Sequence, residues 1–585
     1  MATRNTTAAE ALELHAAARP TTIAISGGDG EITYAELDRR ANQLAHELRS
    51  RGVDAEVPVA LLVRRSARMI VLLVAVLKAG GAYVALDRRM PDERRRTILR
   101  DVRPALVITD DAPGPEQGVP SLSLDELWES SAQRPDTRPE TRVGAENTAY
   151  IAYTSGSSGA PKGVLVPHRG ITRLVVAAKY LPVGPDDVFL HLAPVAFDAS
   201  TLEIWGALLN GAKLVVAPDH DLSLAKLTEL VRANEVTVLW LTAGLFHQVV
   251  ESGLARELRG VRLLLAGGDV LSVEHVNSAL DLLGDTTLIN GYGPTENTTF
   301  TCCEVLTEHV AERVPIGQPI DGTVVHVLDD AGDIAAEGLI FAAGGGLAHG
   351  YLNDPRLTAE RFVPNPFAGV PGDRMYRTGD LGRRRPDGGL DFLGREDLQV
   401  KIRGFRIEPG EVEHALRTHP DLVDAVVTTQ SSQGERRLVG FYVADEPVVS
   451  DHLRKHLGEV LPSYLIPTGF VWLEALPLTA NGKVDRKALA AHTVADRGVL
   501  SSDYRPPGTL VESWLARLWA DLTQVNRVGV HDDFFELGGH SLMAVRIIME
   551  ISDRHDVEVD PQDFYQHPTI AELADLIAGG IDEDR

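Results

Sequence analysis

A chain of 585 residues is too long for a single hydrophobic core, so several domains are expected. Its side chains are 44% hydrophobic and 24% charged, as in a water-soluble globular protein, and 83 acidic against 57 basic residues give a formal net charge of −26. That excess argues against a nucleic-acid partner, which needs clustered Lys and Arg, and the adjacent Cys302 and Cys303 allow neither a disulfide framework nor a cysteine-based zinc site.

The N-terminal twenty residues lack the apolar stretch and cleavage pattern of a secretory signal. ITYAELDRRANQLAHELRS (32–50) sets Thr33 and Glu36 at capping-box spacing, with Tyr34, Leu37, Ala41, Leu44 and Leu48 on one helical face. MIVLLVAVL (69–77) is the longest apolar run. It falls far short of the ~20 residues that cross a bilayer, so no membrane association and a cytoplasmic location are expected. PALVITD (104–110), AKLVVAP (212–218), VTVLWLT (236–242) and VRLLLAGG (261–268) are short apolar runs separated by helix-length segments. That is the pattern of α/β layers with largely buried strands. Residues 112–147, rich in Pro, Ser and charge, read as a surface segment.

RRRPDGGLDFLG (383–394) predicts a hairpin around its Pro-Asp-Gly-Gly, and a smaller α+β stretch follows to about residue 490. AHTVADRGVLSSDYRPPG (491–508) lacks periodicity and reads as a linker. Beyond it lies a helical unit. Thr509/Glu512 cap a helix bearing Val511, Trp514, Leu515, Leu518 and Leu522. Leu542, Val545 and Ile548 mark a second helix, and Thr569/Glu572 cap a last one with Ile570, Leu573 and Leu576 inward.

The glycine- and hydroxyl-rich TSGSSGAPKG (154–163) follows a strand-like TAYIAY and could turn backbone N–H groups and Lys162 toward a phosphate. Pro161 and Gly163 flank the lysine where a Walker A loop needs Gly and Ser or Thr, so it is not that motif. Taken alone, the stretch suits a flexible turn better than a phosphate cradle. GGHSLM (538–543) has methionine where a nucleophile elbow needs glycine, and GGGLAHG (344–350) does not satisfy G-x-G-x-x-G.

The series is more specific than its members. LKAGGAYVALD (77–87), TAYIAYTSGSSGAPKG (148–163), FDAS (197–200), NGYGPTE (290–296), YRTGDL (376–381), GREDLQVKIRGFRIEPGEVE (394–413), LPSYLIP (461–467) and NGKVDR (481–486) occur in that order. The series resembles the core motifs of nonribosomal peptide synthetase adenylation domains, within the adenylate-forming superfamily. DDFFELGGHSL (532–542) resembles the phosphopantetheine attachment site of a peptidyl carrier protein. The resemblance implies an α/β core subdomain over 1–396, a small α+β lid over 397–492, a linker over 493–508 and an all-α carrier bundle over 509–585.

It also implies an activity: an amino acid and MgATP give an aminoacyl-adenylate, which is then loaded as a thioester on phosphopantetheine. Thr154, Ser155, Gly156, Ser157, Ser158, Gly159 and Lys162 would hold ATP's pyrophosphate end. Asn290, Gly291, Tyr292, Gly293, Thr295, Asp380 and Arg395 would hold the rest of the nucleotide, with Tyr292 on the adenine and Asp380 on the ribose. Glu296 would coordinate Mg2+ through hard oxygen donors, Lys483 would bridge the two substrates, Lys401 would serve the thiolation step, Asp397 would be the lid hinge, and Ser541 would carry the arm.

Asp198 would pair with the substrate ammonium and Lys483 with its carboxylate, while Ala199, Leu202, Trp240, Leu265, Gly267, Gly291, Thr299 and Phe300 would line the side-chain pocket. That set is apolar or glycine except for Thr299, which disfavours a charged side chain. It resembles patterns associated with valine, with isoleucine and 2-aminobutyrate as neighbours.

The sequence departs from the usual motifs at Gly338-Leu339-Ile340, at Ala348-His349-Gly350-Tyr351 and at Ala85, which touches local packing more than the reaction. The expected partners are an amino acid, a phosphopantetheinyl transferase and a downstream tailoring enzyme or condensation domain, with an MbtH-like protein as a further candidate. The chain reads as a stand-alone loading pair. The alternatives are an acyl- or aryl-CoA ligase of the same superfamily, or a carrier scaffold with a degenerate adenylation domain.

Overall fold

The short apolar runs become strands. The computed structural model describes residues 6–110, 118–156, 159–220, 222–402, 404–432, 435–479, 483–491, 502, 504–523, 525–535, 537, 539, 541–555, 557, 559, 563–564 and 567–583. They fall into two units. One comprises Met1–Met90, Arg95–Thr154 and Pro161–Phe405; the other comprises Pro91–Arg94, Ser155–Ala160 and Arg406–Arg585.

The first unit holds three sheets. In a nine-stranded sheet, Thr287–Tyr292, Leu263–Gly267, Val238–Thr242, Val188–His191, Lys213–Val216 and Ile23–Gly27 run side by side and parallel. Antiparallel strands close both edges. A six-stranded sheet is built around Pro58–Leu62, Ala82–Ala85 and Leu106–Thr109, and Thr148–Thr154 and Lys162–Pro167 form an antiparallel pair within it. Its two faces can be read from alternation along one strand. Val59 and Leu61 join the large core with Tyr34, Leu72 and Phe189, while Ala60 and Leu62 join a second core with Ile98 and Leu99. The helix Ala67–Ala79 is apolar apart from Arg68 and Lys78, which pair with carboxylates, and its residues are buried almost throughout, so the run that could suggest a membrane is a core helix. No helix among the described residues is long and apolar enough to cross a membrane.

The third sheet is antiparallel, with Thr323–Leu328, Glu337–Gly344, Arg374–Arg384 and Phe362–Pro364 in sequence and Leu390–Arg395 paired to Arg374–Arg384. The last pairing is the predicted hairpin, with Arg384 opposite Leu390 and Gly388 at φ 86° in the turn. The described part of the 112–147 segment, 118–147, is more than a plain surface stretch. It contains the strand Ser121–Ser123 and the helix Leu124–Ser131, which is capped reciprocally by Ser123 and Glu126 and buries Leu124 and Leu127.

In the second unit, the sheet of Asp424–Ser432, Glu435–Val443 and Gly469–Leu473 packs around Val426, Val439, Phe441 and Leu489. The helices Leu510–Thr523, Ser541–His555 and Ile570–Glu583 share a separate core of Leu515, Trp519, Phe534, Ile547, Phe564 and Leu573. Both predicted capping boxes there are reciprocal, Thr509 with Glu512 and Thr569 with Glu572. Leu542 and Val545 lie in the second helix, and their side chains fall outside the described set.

Candidate active site

Three parallel strands end level with one another, Thr242 beside Gly267 and Gly267 beside Gly291. The carboxyl ends of such strands are where open α/β sheets build their sites. Two of these positions are glycines in close quarters. A Cβ on Gly267 would lie 2.1 Å from the Gly291 carbonyl oxygen, and one on Gly291 would lie 2.4 Å from Cε1 of Phe300. Phe300 packs at 5.3 Å on Trp240 and edge-on at 5.9 Å to Tyr180. Leu202, on the helix Ala199–Leu208, and Leu265, on the middle of the three strands, are buried in the same core. The Trp240 indole N–H is buried with no acceptor among the described residues.

Asp198 opens the helix Ala199–Leu208 but makes no capping bond. Its carboxylate accepts from the Thr295 hydroxyl at 2.7 Å, and its carbonyl accepts from the Thr299 hydroxyl at 2.8 Å. Thr298 and Thr299 carry φ values of 51° and 63°. Such left-handed geometry is unusual for β-branched residues and costs on the order of 1–3 kcal/mol each.

A second cluster forms around Glu296, which is fully buried. The Tyr351 hydroxyl donates to its Oε1 at 2.7 Å, and Lys162 Nζ lies 3.4 Å from the same oxygen and 4.8 Å from the Tyr351 ring centre. Lys162 faces Thr154 across a hairpin, and the Thr154 hydroxyl is buried with no partner among the described residues. Ser155, Gly156 and Gly159 fall in the second unit, where Ser155 donates to the Arg406 carbonyl at 2.6 Å. Ser157 and Ser158 lie outside the described residues.

A third cluster joins Tyr292, Asp380, Arg395 and Asp397. The Tyr292 hydroxyl donates to one Asp380 oxygen at 2.5 Å, and Arg395 donates to the other. Arg395 also grips Asp397 with Nε at 2.7 Å and Nη2 at 2.8 Å. Burial alone would raise the Asp397 carboxyl, but the paired Arg395 bonds outweigh it and hold it below its ordinary value. Burial, then the facing Asp380 carboxylate, pushes the Tyr292 phenol well up, so it stays a donor. Lys401 Nζ stands 5.9 Å from the Tyr292 ring centre, and the Asn290 amide donates to the Pro315 carbonyl at 2.7 Å. Gly293 leaves room for the Thr299 carbonyl, 2.3 Å from where a Cβ would sit.

Within the first unit the expected residues thus gather into three clusters, linked by the segment 290–300. Lys483 belongs to the second unit, exposed on a turn where its carbonyl accepts from Thr479 N–H at 2.7 Å. Ser541 is the first residue of its helix, and its side chain lies outside the described set. Tyr351, which the sequence reading assigns to local packing, and Thr378, which lies within YRTGDL without an assigned role, also belong to these clusters. The Thr378 hydroxyl supports Asp380 by accepting its N–H at 3.0 Å. The partner of Tyr351 lies 55 residues away, beyond any spacing rule, whereas Thr378 accepts from the N–H two residues on, a local Thr-turn spacing.

Comparison with known proteins matches residues 12–352 to a family described as AMP-binding enzyme, 411–483 to the AMP-binding enzyme C-terminal domain and 513–577 to a phosphopantetheine attachment site. Gramicidin S synthase 2 of Brevibacillus brevis is 42% identical over 96% of the chain, and tyrocidine synthase 3 of Brevibacillus parabrevis is 41% identical over 98%. The chain spans only 13% and 9% of those proteins. Among solved structures, holo-PA1221, an NRPS protein containing adenylation and PCP domains bound to a vinylsulfonamide inhibitor, aligns with a TM-score of 0.87 at 34% identity. The alignment covers 98% of this chain and 97% of that one. NpsA-ThdA, an artificially fused adenylation-PCP di-domain from Klebsiella oxytoca, aligns with a TM-score of 0.75 at 30% identity, over 80% and 94% of the two chains.

Proposed function

The chain belongs to the AMP-binding enzyme family, and from that premise we propose that it condenses an α-amino acid with MgATP to an aminoacyl-adenylate and pyrophosphate, then passes the aminoacyl group to its own carrier region. The observation that carries this reading is the meeting of Lys162, Glu296 and Tyr351 in one buried cluster, one residue from Thr295, which holds Asp198. A carboxylate attacking the α-phosphate brings two anions together, so cationic and donor groups must stand ready where charge develops.

The residues fit the nucleotide. The Thr154 hydroxyl is an orphaned buried donor next to Lys162, suited to a phosphate oxygen. Asp380, held by Tyr292 and Arg395, presents a fixed carboxylate for ribose hydroxyls. They also fit Mg2+. No group of three or more His, Cys, Asp or Glu among the described residues forms a metal cage, and a magnesium ion bound mainly through nucleotide phosphates needs only one or two carboxylates. Glu296 supplies one. Lys483 would then bridge carboxylate and α-phosphate, Lys401 would serve the transfer step, and Asp397 would be the hinge. Ser541, opening its helix, would carry the phosphopantetheine arm, whose thiol accepts the acyl group.

For the substrate, Asp198 offers a carboxylate to an α-ammonium, and Trp240, Phe300, Leu202 and Leu265 leave space for a modest aliphatic side chain. We propose valine. The unpartnered Trp240 N–H lowers the cost of a side-chain hydroxyl, so threonine, the polar isostere, belongs in the test beside isoleucine and 2-aminobutyrate. A phosphopantetheinyl transferase and a recipient of the thioester are the proposed partners.

ATP–pyrophosphate exchange over an amino-acid panel, followed by mass spectrometry of the Ser541 peptide after arm attachment, tests the reading. Valine-dependent exchange and an aminoacyl mass on that peptide are expected. Loss of exchange in Lys483→Ala and loss of the arm in Ser541→Ala are expected with them. Exchange with no amino acid would refute the activity, and preference for a charged or aromatic one would refute the pocket assignment.

A further inference from the structure

The helix His168–Val175 meets the segment 297–300 through Gly170 and Arg173, one turn apart. A Cβ on Gly170 would lie 2.4 Å from the Thr298 hydroxyl, so only glycine admits that side chain, whose hydroxyl goes on to donate to the Gly346 carbonyl at 2.8 Å. Arg173 is buried. Its Nη1 donates to the Phe300 carbonyl at 2.6 Å and to the Thr323 hydroxyl at 3.2 Å. Its Nη2 donates to the carbonyls of Asn297 and, at 3.2 Å, of Thr298. All four terminal N–H groups are therefore used, and no carboxylate among the described residues pairs with the guanidinium. Gly346 is shaped to it as well, since a Cβ there would fall 2.0 Å from Nη2.

A buried cation facing three carbonyls and a hydroxyl, with no carboxylate, is not explained by stability, because taking the charge out of water without a counter-ion is costly. Burial accordingly lowers the Arg173 pKa to about 10, and the guanidinium stays charged near neutrality. What the arrangement fixes is the unusual backbone of Thr298 and Thr299, with Thr299 bonded to Asp198 and its successor Phe300 packed on Gly291 and Trp240. Glu296, by contrast, has anchors of its own in Tyr351, Lys162 and the Ala348 N–H, which donates to its carbonyl at 2.9 Å.

We propose that Arg173 is a positioning residue for side-chain selection: its guanidinium fork clamps the carbonyls of 297, 298 and 300 and so sets where Thr299 and Phe300 stand in the pocket. This rests on the amino-acid-activating reading above. Lysine cannot replace it, since a point ammonium lacks the planar fork that reaches three carbonyls and a hydroxyl.

Arg173→Lys and Arg173→Met are to be compared with the wild-type chain in two measurements. Amide hydrogen exchange over 295–301 reads the clamp directly, because Thr298 N–H, Phe300 N–H and Thr301 N–H are bonded to carbonyls within that turn or to Tyr292. Pyrophosphate exchange reads the pocket. Both variants are expected to speed exchange of those amides by about tenfold or more. They are also expected to raise the amino-acid KM about tenfold and compress the preference among aliphatic amino acids, with the MgATP KM within about twofold. Unchanged loop protection overturns the clamp. A changed loop with unchanged selectivity, or equal changes in both KM values, overturns the role in selection. A wild-type chain inactive toward every amino acid refutes the activity reading and the selection claim together, while the exchange data still judge the clamp. If Arg173→Met does not fold, Gly346→Ala displaces the guanidinium with its charge intact, and the same outcomes apply.

Discussion

Tyr351→Phe removes a single oxygen from a site whose shape it leaves alone. That oxygen donates to Glu296 Oε1 at 2.7 Å, and both side chains are buried. A hydrogen bond to a charged group contributes about 1.5–3 kcal/mol. After the substitution, that carboxylate oxygen keeps Lys162 Nζ at 3.4 Å, a cation itself drawn toward the Tyr351 ring. If Glu296 must point one way to hold the metal nucleotide, the loss appears in kcat/KM for MgATP. At 1.36 kcal/mol per tenfold, that is a decrease of about 10- to 150-fold. The amino-acid KM should stay within about threefold, and the Mg2+ concentration giving half-maximal exchange should rise. ATP–pyrophosphate exchange with MgATP, free Mg2+ and amino acid varied in turn measures all three, and thermal melting separates the loss of fold. A folded variant with lowered melting temperature but unaltered MgATP and Mg2+ dependence would show that the Tyr351–Glu296 bond is structural only, refuting the orientation of Glu296 argued above.

Gly291→Ala puts a Cβ 2.4 Å from Phe300, which Trp240 and Tyr180 hem in; overpacking of about 1–3 kcal/mol is expected. Valine-dependent exchange should fall while alanine gains relative to it, and an unchanged valine-to-alanine ratio would remove Gly291 from the pocket wall. His168 predicts a pH dependence of stability. It is fully buried, its Nδ1 accepts from the Ala8 N–H at 3.3 Å, and burial pushes its pKa down to about 4. The unfolded chain, with an imidazole near 6.5, therefore binds the extra proton between pH 6.5 and 4, and stability is lost as pH falls through that window by up to about 3 kcal/mol. Chemical denaturation of wild type and His168→Gln at pH 7, 5.5 and 4 should show the slope flattened in the variant; parallel slopes would exclude His168 as the cause.

Much of the frame was legible because strands and caps are written locally. PALVITD, AKLVVAP, VTVLWLT and VRLLLAGG yielded Leu106–Thr109, Lys213–Val216, Val238–Thr242 and Leu263–Gly267. Where local signals compete, reading is harder. Thr33 caps its helix by accepting from the Glu36 N–H, but the Glu36 carboxylate turns to Arg39 and Arg40 instead of closing the box. In the 112–147 stretch, composition concealed a helix whose Ser123-x-x-Glu126 box was present to be read. The site divided the same way. Motif residues could be named from their order, but Tyr351 and Arg173 meet partners that only the folded chain brings near: Glu296 lies 55 residues from Tyr351, and Arg173 touches residues more than 120 positions away.

The proposed pocket wall of Gly267 and Gly291 would give this chain an asymmetric mutational neighbourhood. Glycine is the smallest residue, so every replacement at either position subtracts space, and neither can be altered to admit a larger side chain. Enlargement would have to come from the larger side chains, the aromatic Trp240 and Phe300 above all. At Phe300 that route is open without dismantling the turn, because Arg173 grips the carbonyl of residue 300 and not its ring. A lineage or a designer seeking bulkier substrates would therefore have a replaceable side chain mounted on a fixed backbone, whereas the route to smaller ones runs through Gly291, where a Cβ meets the Phe300 ring, and not through Gly267, where it would meet the Gly291 carbonyl oxygen.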